Sequence, residues 1–76
     1  MTLREARDLA GLTRDRLAKA AGTTTTTIYD IETGRSVHPS HHLVVRIVRA
    51  LQRAGLAGLT IEQVFPVADD DQAAAS

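Results

Sequence analysis

The sequence predicts an all-α fold of five short helices. Apolar residues recur at helical spacing, most clearly where positions i, i+3, i+4 and i+7 are Val44, Ile47, Val48 and Leu51. Threonine or serine precedes each apolar segment, where its hydroxyl can cap a helix, and glycine or proline follows it. No segment shows the apolar–polar alternation that predicts a half-buried strand.

These start and stop signals also place the elements in order. The first helix begins at Thr2, the second follows the cap Thr13, and the third follows Thr23 or Thr24. The fourth follows Ser40, and the fifth opens with a capping-box spacing. The predicted helices are residues 2–10, 14–21, 25–33, 41–54 and 61–65. Residues 1–66 are expected to form one domain, whereas residues 67–76, an acidic tail with little apolar mass, are expected to be disordered.

The second and third helices are predicted to form a helix-turn-helix. Gly22 supplies the left-handed conformation that ends the second helix at little steric cost. Leu17 and Ala18 lie on a narrow apolar stripe of mostly small side chains, onto which Ile28 and Ile31 turn back. Two helices at a steep angle around a glycine turn can place the second helix in the major groove of DNA.

The charge distribution favours an anionic partner even though the net charge is zero. Residues 1–65 contain all nine basic residues and six of the nine acidic ones, so this region carries a net charge of +3. The other three acids are Asp69, Asp70 and Asp71. Local charge, rather than the sum over the chain, sets the field at a docking face.

Several function classes are disfavoured by composition. The absence of cysteine excludes disulfides and thiolate zinc sites, and we expect no metal site at the histidines His38, His41 and His42. No apolar run approaches the roughly 20 residues of a membrane span. No nucleophile–base pair, phosphate-cradling glycine loop or paired-carboxylate site occurs, so we expect a non-enzyme without a cofactor. The expected location is the cytoplasm, at the nucleoid.

The chain resembles the Cro/C1-type (XRE-like) helix-turn-helix family of phage and bacterial regulators over about residues 3–65. The joint spacing of many residues carries the resemblance: Leu3, Arg7, Gly11-Leu12-Thr13, Leu17-Ala18, Ala21-Gly22, Thr27-Ile28, Ile31-Glu32, Gly34-Arg35, Pro39-Ser40, Ile47, Ala50-Leu51 and Val64-Phe65. It implies a lambda-repressor-like domain and a sequence-specific transcriptional regulator. Such a regulator binds a double-stranded DNA operator as a homodimer, with the third helix in the major groove.

The resemblance also implies which side chains contact DNA. They are Arg14, Thr24, Thr25, Thr26, Tyr29, Asp30, Arg35 and Ser36. Arg7 lies on the apolar side of the first helix, where it is either solvated or paired with a buried acid, and the resemblance favours an ion pair with Glu32. The sequence departs from the family at Arg14, where glutamine is usual, at Arg16, where glutamate is frequent, and in a longer linker over residues 52–58.

Other assignments have two interpretations. The threonine run at residues 23–27 is either a low-complexity accident or a surface that reads thymine methyl groups. Asp30 either accepts from cytosine or is a solvated acid. Arg46, Arg49 and Arg53 form either a solvated helix face or a DNA contact.

The whole chain could instead be an antitoxin-type interaction protein that holds a toxin, or a DNA-bending accessory. The dimer interface is expected at Ile61, Val64, Phe65 and the loop 55–58.

Overall fold

A computed structural model describes residues 1–35 and 39–65 of the chain. The five helices are α1 (Leu3–Leu9), α2 (Arg14–Ala21), α3 (Thr25–Glu32), α4 (His41–Arg53) and α5 (Ile61–Val64). Neither described range contains a strand, and the predicted all-α class is confirmed. The differences from the predicted bounds are small and concern the caps. Ala10, Thr33, Ala54 and Phe65 cap helices rather than belong to them.

Helix starts are fixed by local side-chain hydrogen bonds, each between residues three positions apart. Four hydroxyls accept from the backbone amide three positions later: those of Thr2, Thr13, Thr24 and Ser40, at 3.1–3.2 Å. At the start of α1 the Glu5 carboxylate also accepts from the Thr2 amide, which completes a capping box. Each cap satisfies an amide that has no partner inside its helix. Of the two candidate caps of α3, Thr24 is the one that the structure uses.

The core is aliphatic and is centred on the contact of α2 with α3 and α4. Its largest fully buried side chains are Leu17, Ile28, Ile47 and Leu51. Ala18 and Ala21 of α2 are each 2% exposed, and their small side chains let the neighbouring helices approach closely. This packing fixes the orientation of α3, whose buried side is defined by Ile28.

The turn between α2 and α3 depends on a left-handed glycine. Gly22 has φ +71°, and the amide of the next residue, Thr23, donates to the Ala18 carbonyl at 2.8 Å. This bond closes the end of α2 and turns the chain directly into the cap of α3. The turn therefore sets the angle between the two helices.

Replacing Gly22 with alanine is expected to reduce the free energy of unfolding by about 1–2 kcal/mol, because an L-residue at this φ is strained. The new methyl group would not clash, since its nearest neighbour is an Arg46 guanidinium nitrogen at 3.8 Å. Gly58→Ala is the matched control, because Gly58 has a φ outside the left-handed region and open space around it. Urea denaturation of both variants tests this. Equal effects of the two substitutions would contradict the expectation.

Candidate nucleic-acid interface

One face of α3 carries the polar residues that the sequence assigns to DNA. Thr25, Thr26 and Tyr29 are exposed and Asp30 is half-buried, whereas Ile28 between them is fully buried. We call the four polar or aromatic residues, Thr25, Thr26, Tyr29 and Asp30, the α3 face. The structure thus brings four of the eight predicted DNA contacts together on one helix. Ser36, another of the eight, lies outside the described residues.

The threonine hydroxyls of this region are not equivalent. The Thr24 hydroxyl accepts from the Thr27 amide at 3.2 Å and lies 2.9 Å from the Thr27 hydroxyl, so it serves the cap. The Thr25 hydroxyl donates to Asp15 at 3.3 Å, a long bond in an exposed position. The Thr26 hydroxyl forms no hydrogen bond with residues 1–35 or 39–65. Thr25 and Thr26 are therefore better placed than Thr24 to bond to a ligand.

Arg14 is held in place by α3 on two sides. Its Nε donates to Glu32 Oε1 at 2.9 Å, and its guanidinium carbon lies 5.1 Å from the centroid of the Tyr29 ring. A cation at this distance from an aromatic face is attracted by the ring quadrupole. The side chain remains 38% exposed. Arg14 therefore adjoins the α3 face in a restrained conformation, with part of its charge accessible to solvent.

Glu32 binds two arginines from different helices. Arg7 Nε donates to Glu32 Oε2 at 2.7 Å, and Arg7 Nη2 lies 3.4 Å from Oε1, the oxygen that also accepts from Arg14. Arg7 Nη1 also donates to the Leu12 carbonyl at 3.0 Å. The Glu32 side chain is 2% exposed and that of Arg7 is 11% exposed. We call Arg7, Arg14 and Glu32 the Glu32 ion cluster. It joins α1, α2 and α3.

The environment of Glu32 has opposing effects on its acidity. Burial alone raises the pKa of the Glu32 carboxyl, because it disfavours the charged form. Hydrogen bonds from Arg7 and Arg14, together with their positive charges, outweigh the burial, and the net pKa lies below its ordinary value. Glu32 is therefore ionised at neutral pH and compensates the charge of the poorly exposed Arg7.

Arg35 lies just beyond the C-terminal end of α3. Its amide donates to the Asp30 carbonyl at 2.8 Å, and the preceding residue, Gly34, has φ +82°. The Arg35 residue is exposed. The end of the helix thus fixes the backbone of Arg35 while its side chain extends from the surface.

Two contacts of the region were missed by sequence reasoning. The resemblance assigns Arg14 to DNA only, and nothing in the sequence indicates that it shares Glu32 with Arg7. Asp15 was not singled out, although it accepts from Thr25. Both contacts depend on the N-terminal turn of α2 lying beside α3. Sequence signals within a single helix do not indicate that proximity. It becomes visible only when the two helices are placed against each other.

Three further expectations concern sites away from α3. Val64 is 6% exposed in the core, so its proposed place in a dimer interface is wrong, whereas Ile61 and Phe65 are half-buried.

His41 and His42 are exposed and His38 lies outside the described residues. Within residues 1–35 and 39–65, no group of three metal-ligating side chains could hold an ion. No helix in these ranges is long and apolar enough to span a membrane.

Comparison with known proteins adds one match. A family model described as a helix-turn-helix domain matches residues 1–57, which include α1 to α4. No curated protein and no solved structure matches the chain. The match covers both helices of the motif, the Gly22 turn and the Glu32 ion cluster.

Proposed function

Because the chain belongs to the helix-turn-helix domain family, we propose that it is a repressor- or Cro-like transcriptional regulator that binds a specific DNA operator. The observation that carries this proposal is the α3 face. Four adjacent polar or aromatic side chains point away from a helix whose opposite side is anchored by the fully buried Ile28. A short helix with a rigid apolar side and a polar outer side is suited to the major groove.

Each residue of the interface has a distinct role in this proposal. Thr25 and Thr26 donate to base edges and pack their methyl groups against thymine, and Asp30 accepts from cytosine N4. Arg35, and Ser36 by resemblance, bind phosphates. Arg14 binds a phosphate or a guanine, in the orientation that Glu32 and Tyr29 impose on it. Thr24 contributes through its cap and its backbone rather than through its hydroxyl.

The regulator acts as a homodimer on DNA, in the cytoplasm at the nucleoid, and requires no cofactor or catalytic activity. Two-fold symmetry of the protein predicts a palindromic operator with half-sites about one helical turn, roughly 34 Å, apart. Ile61 and Phe65 are the apolar side chains that we assign to the dimer contact, since both remain half-buried in the protomer. Monomeric behaviour at high concentration, with and without DNA, would contradict this assignment.

Selection of bound sequences from a random duplex pool tests the function directly. We expect enrichment of a palindromic sequence, and footprinting on the same duplex should show two protected half-sites. Enrichment of bent or flexible sequences without a consensus would indicate a DNA-bending accessory. If no sequence is enriched, while a toxin is recovered in a pull-down with the full chain, the antitoxin-type function is correct and the operator proposal fails.

The salt dependence of binding tests the phosphate contacts. If each subunit neutralises roughly five phosphates, log affinity per subunit should fall with log salt with a slope of about −4.5. Arg35→Gln should make this slope shallower by about 1, because one phosphate contact is lost. Arg4→Gln is the matched control, since Arg4 is exposed on α1. A flat salt response of the unmodified protein would exclude DNA as the ligand.

A further inference from the structure

A basic groove lies between the C-terminal half of α2 and α4. It has a volume of about 300 Å³ and is lined by Lys19, Arg46, Arg49 and Arg53, together with alanines and Gly22. None of its lining residues is acidic. We call it the α2–α4 groove. It is separate from the α3 face, because none of the residues of that face lines it.

The positive charge of this groove is poorly compensated by the described part of the chain. Arg46, Arg49 and Arg53 are exposed, and none forms an ion pair within residues 1–35 and 39–65. Lys19 lies 3.4 Å from Asp15, but both side chains are more than 60% exposed. An exposed pair of this kind is weak and leaves Lys19 available to another anion. Four cations around one concave surface attract a multiply charged anion.

We propose that the α2–α4 groove binds the acidic segment Asp69–Asp71 of the same chain. The groove and the segment carry opposite charges. Residues 1–65 carry a net charge of +3, and the three consecutive aspartates bring the whole chain to zero. No basic residue occurs in residues 66–76 that would neutralise the aspartates locally. The segment is therefore the most concentrated negative charge that the chain can offer to the groove.

The segment is also connected to the helix that carries most of the groove's charge. The segment follows α5, which packs against α4, the helix that supplies three of the four cations. The Gln52 side chain, which donates to the Leu59 carbonyl at 2.8 Å, ties α4 to the connection that leads to α5. The aspartates lie four to six positions beyond Phe65, which gives a reach of about 13–22 Å. That reach is similar to the length of α4, which is about 20 Å for its 13 residues.

Covalent attachment makes such a contact effective although each ion pair is weak. Exposed charges are screened over about 10 Å at 0.1 M salt, so a detached segment would bind poorly. Tethering raises its effective concentration to the order of millimolar. Three aspartates offset most of the charge of the four cations beside the turn at Gly22, so the bound segment reduces non-specific attraction of polyanions. This inference goes beyond the proposed operator function and does not depend on it.

Nuclear magnetic resonance of the full chain without DNA tests the proposal. We compare the backbone amide spectra of the unmodified protein and of the variant Asp69→Asn, Asp70→Asn, Asp71→Asn at low salt. Amides of residues 20–22 and 46–53 should differ between the two proteins, and the difference should disappear at 1 M salt, where screening acts over about 3 Å. Differences confined to residues 66–76 would overturn the proposal.

Reciprocal variants establish that the groove is the binding site. In the background Arg49→Gln, Arg53→Gln the aspartate substitutions should no longer shift residues 20–22. In the control background Arg4→Gln, Arg16→Gln, which removes the same charge from exposed positions outside the groove, the shifts should remain. The reverse pattern would place the segment elsewhere, and shifts that grow with protein concentration would place it on a second copy. Either result overturns the proposal, whether or not the protein binds an operator.

Discussion

Glu32→Ala is expected to lower the free energy of unfolding by about 3–5 kcal/mol, because it removes one partner of a buried ion pair. Arg7 would be left with an uncompensated charge on a side chain that is only 11% exposed. The loss is a large fraction of the total stability of a domain of this size. Urea denaturation followed by far-ultraviolet circular dichroism measures it.

The effects of the two arginines should differ because their exposures differ. Arg7→Ala should be nearly as destabilising as Glu32→Ala, since it leaves the carboxylate, 2% exposed, with Arg14 alone. Arg14→Ala should cost less than either, because Arg14 is 38% exposed and solvent screens its charge. Glu62→Ala, at an exposed glutamate, is the control and should change stability by no more than about 0.5 kcal/mol. A small effect of Glu32→Ala would refute the structural role of the cluster.

The pH dependence of stability provides an independent measure of the same cluster. The pKa of Glu32 is lower in the folded protein than its ordinary value of 4.5. Its ionisation therefore contributes stability that is fully present above the unfolded pKa and is lost as the pH falls through the folded pKa. The stability difference between the unmodified protein and Glu32→Gln should be constant above about pH 6 and should shrink as the pH falls below 4.5. A difference independent of pH would show that the charge of Glu32 contributes little.

Much of the fold was predictable because its signals are local. The caps Thr2, Thr13 and Ser40 act within four residues of their own positions, and the sequence shows them directly. The turn at Gly22 likewise depends on a single residue type that tolerates a positive φ. The only differences from the predicted helix bounds concern residues at helix ends, where the capping residue can be counted as the last helical residue or as the first residue outside the helix.

The candidate site was predictable only in part because it depends on contacts between helices. The exposed side of α3 follows from the burial of Ile28, which the helical period indicates. The position of the Arg14 guanidinium does not, because it is set by a carboxylate 18 residues away on another helix. Lys19 and Arg46 meet in one groove only because α2 packs on α4. Such juxtapositions require the tertiary arrangement and have no local signal.

The double substitution Thr25→Ala, Thr26→Ala is expected to reduce the preference for operator over unrelated DNA by about tenfold. A good bidentate contact contributes about 1–3 kcal/mol of discrimination, and two single-hydroxyl contacts together should contribute near the lower end of that range. The fold should be unaffected, because both residues are exposed and alanine is the better helix former. Competition binding with specific and scrambled duplexes at fixed salt measures the ratio.

Serine substitutions at the same two positions separate the two kinds of contact. Thr25→Ser, Thr26→Ser retains both hydroxyl donors and removes only the methyl groups. If thymine methyl packing carries the preference, the serine variant should lose as much discrimination as the alanine variant. If hydrogen bonds carry it, the serine variant should behave as the unmodified protein does. Unchanged selectivity in the alanine variant would show that the threonine surface does not read bases, and discrimination would then rest on Tyr29, Asp30 and Arg14.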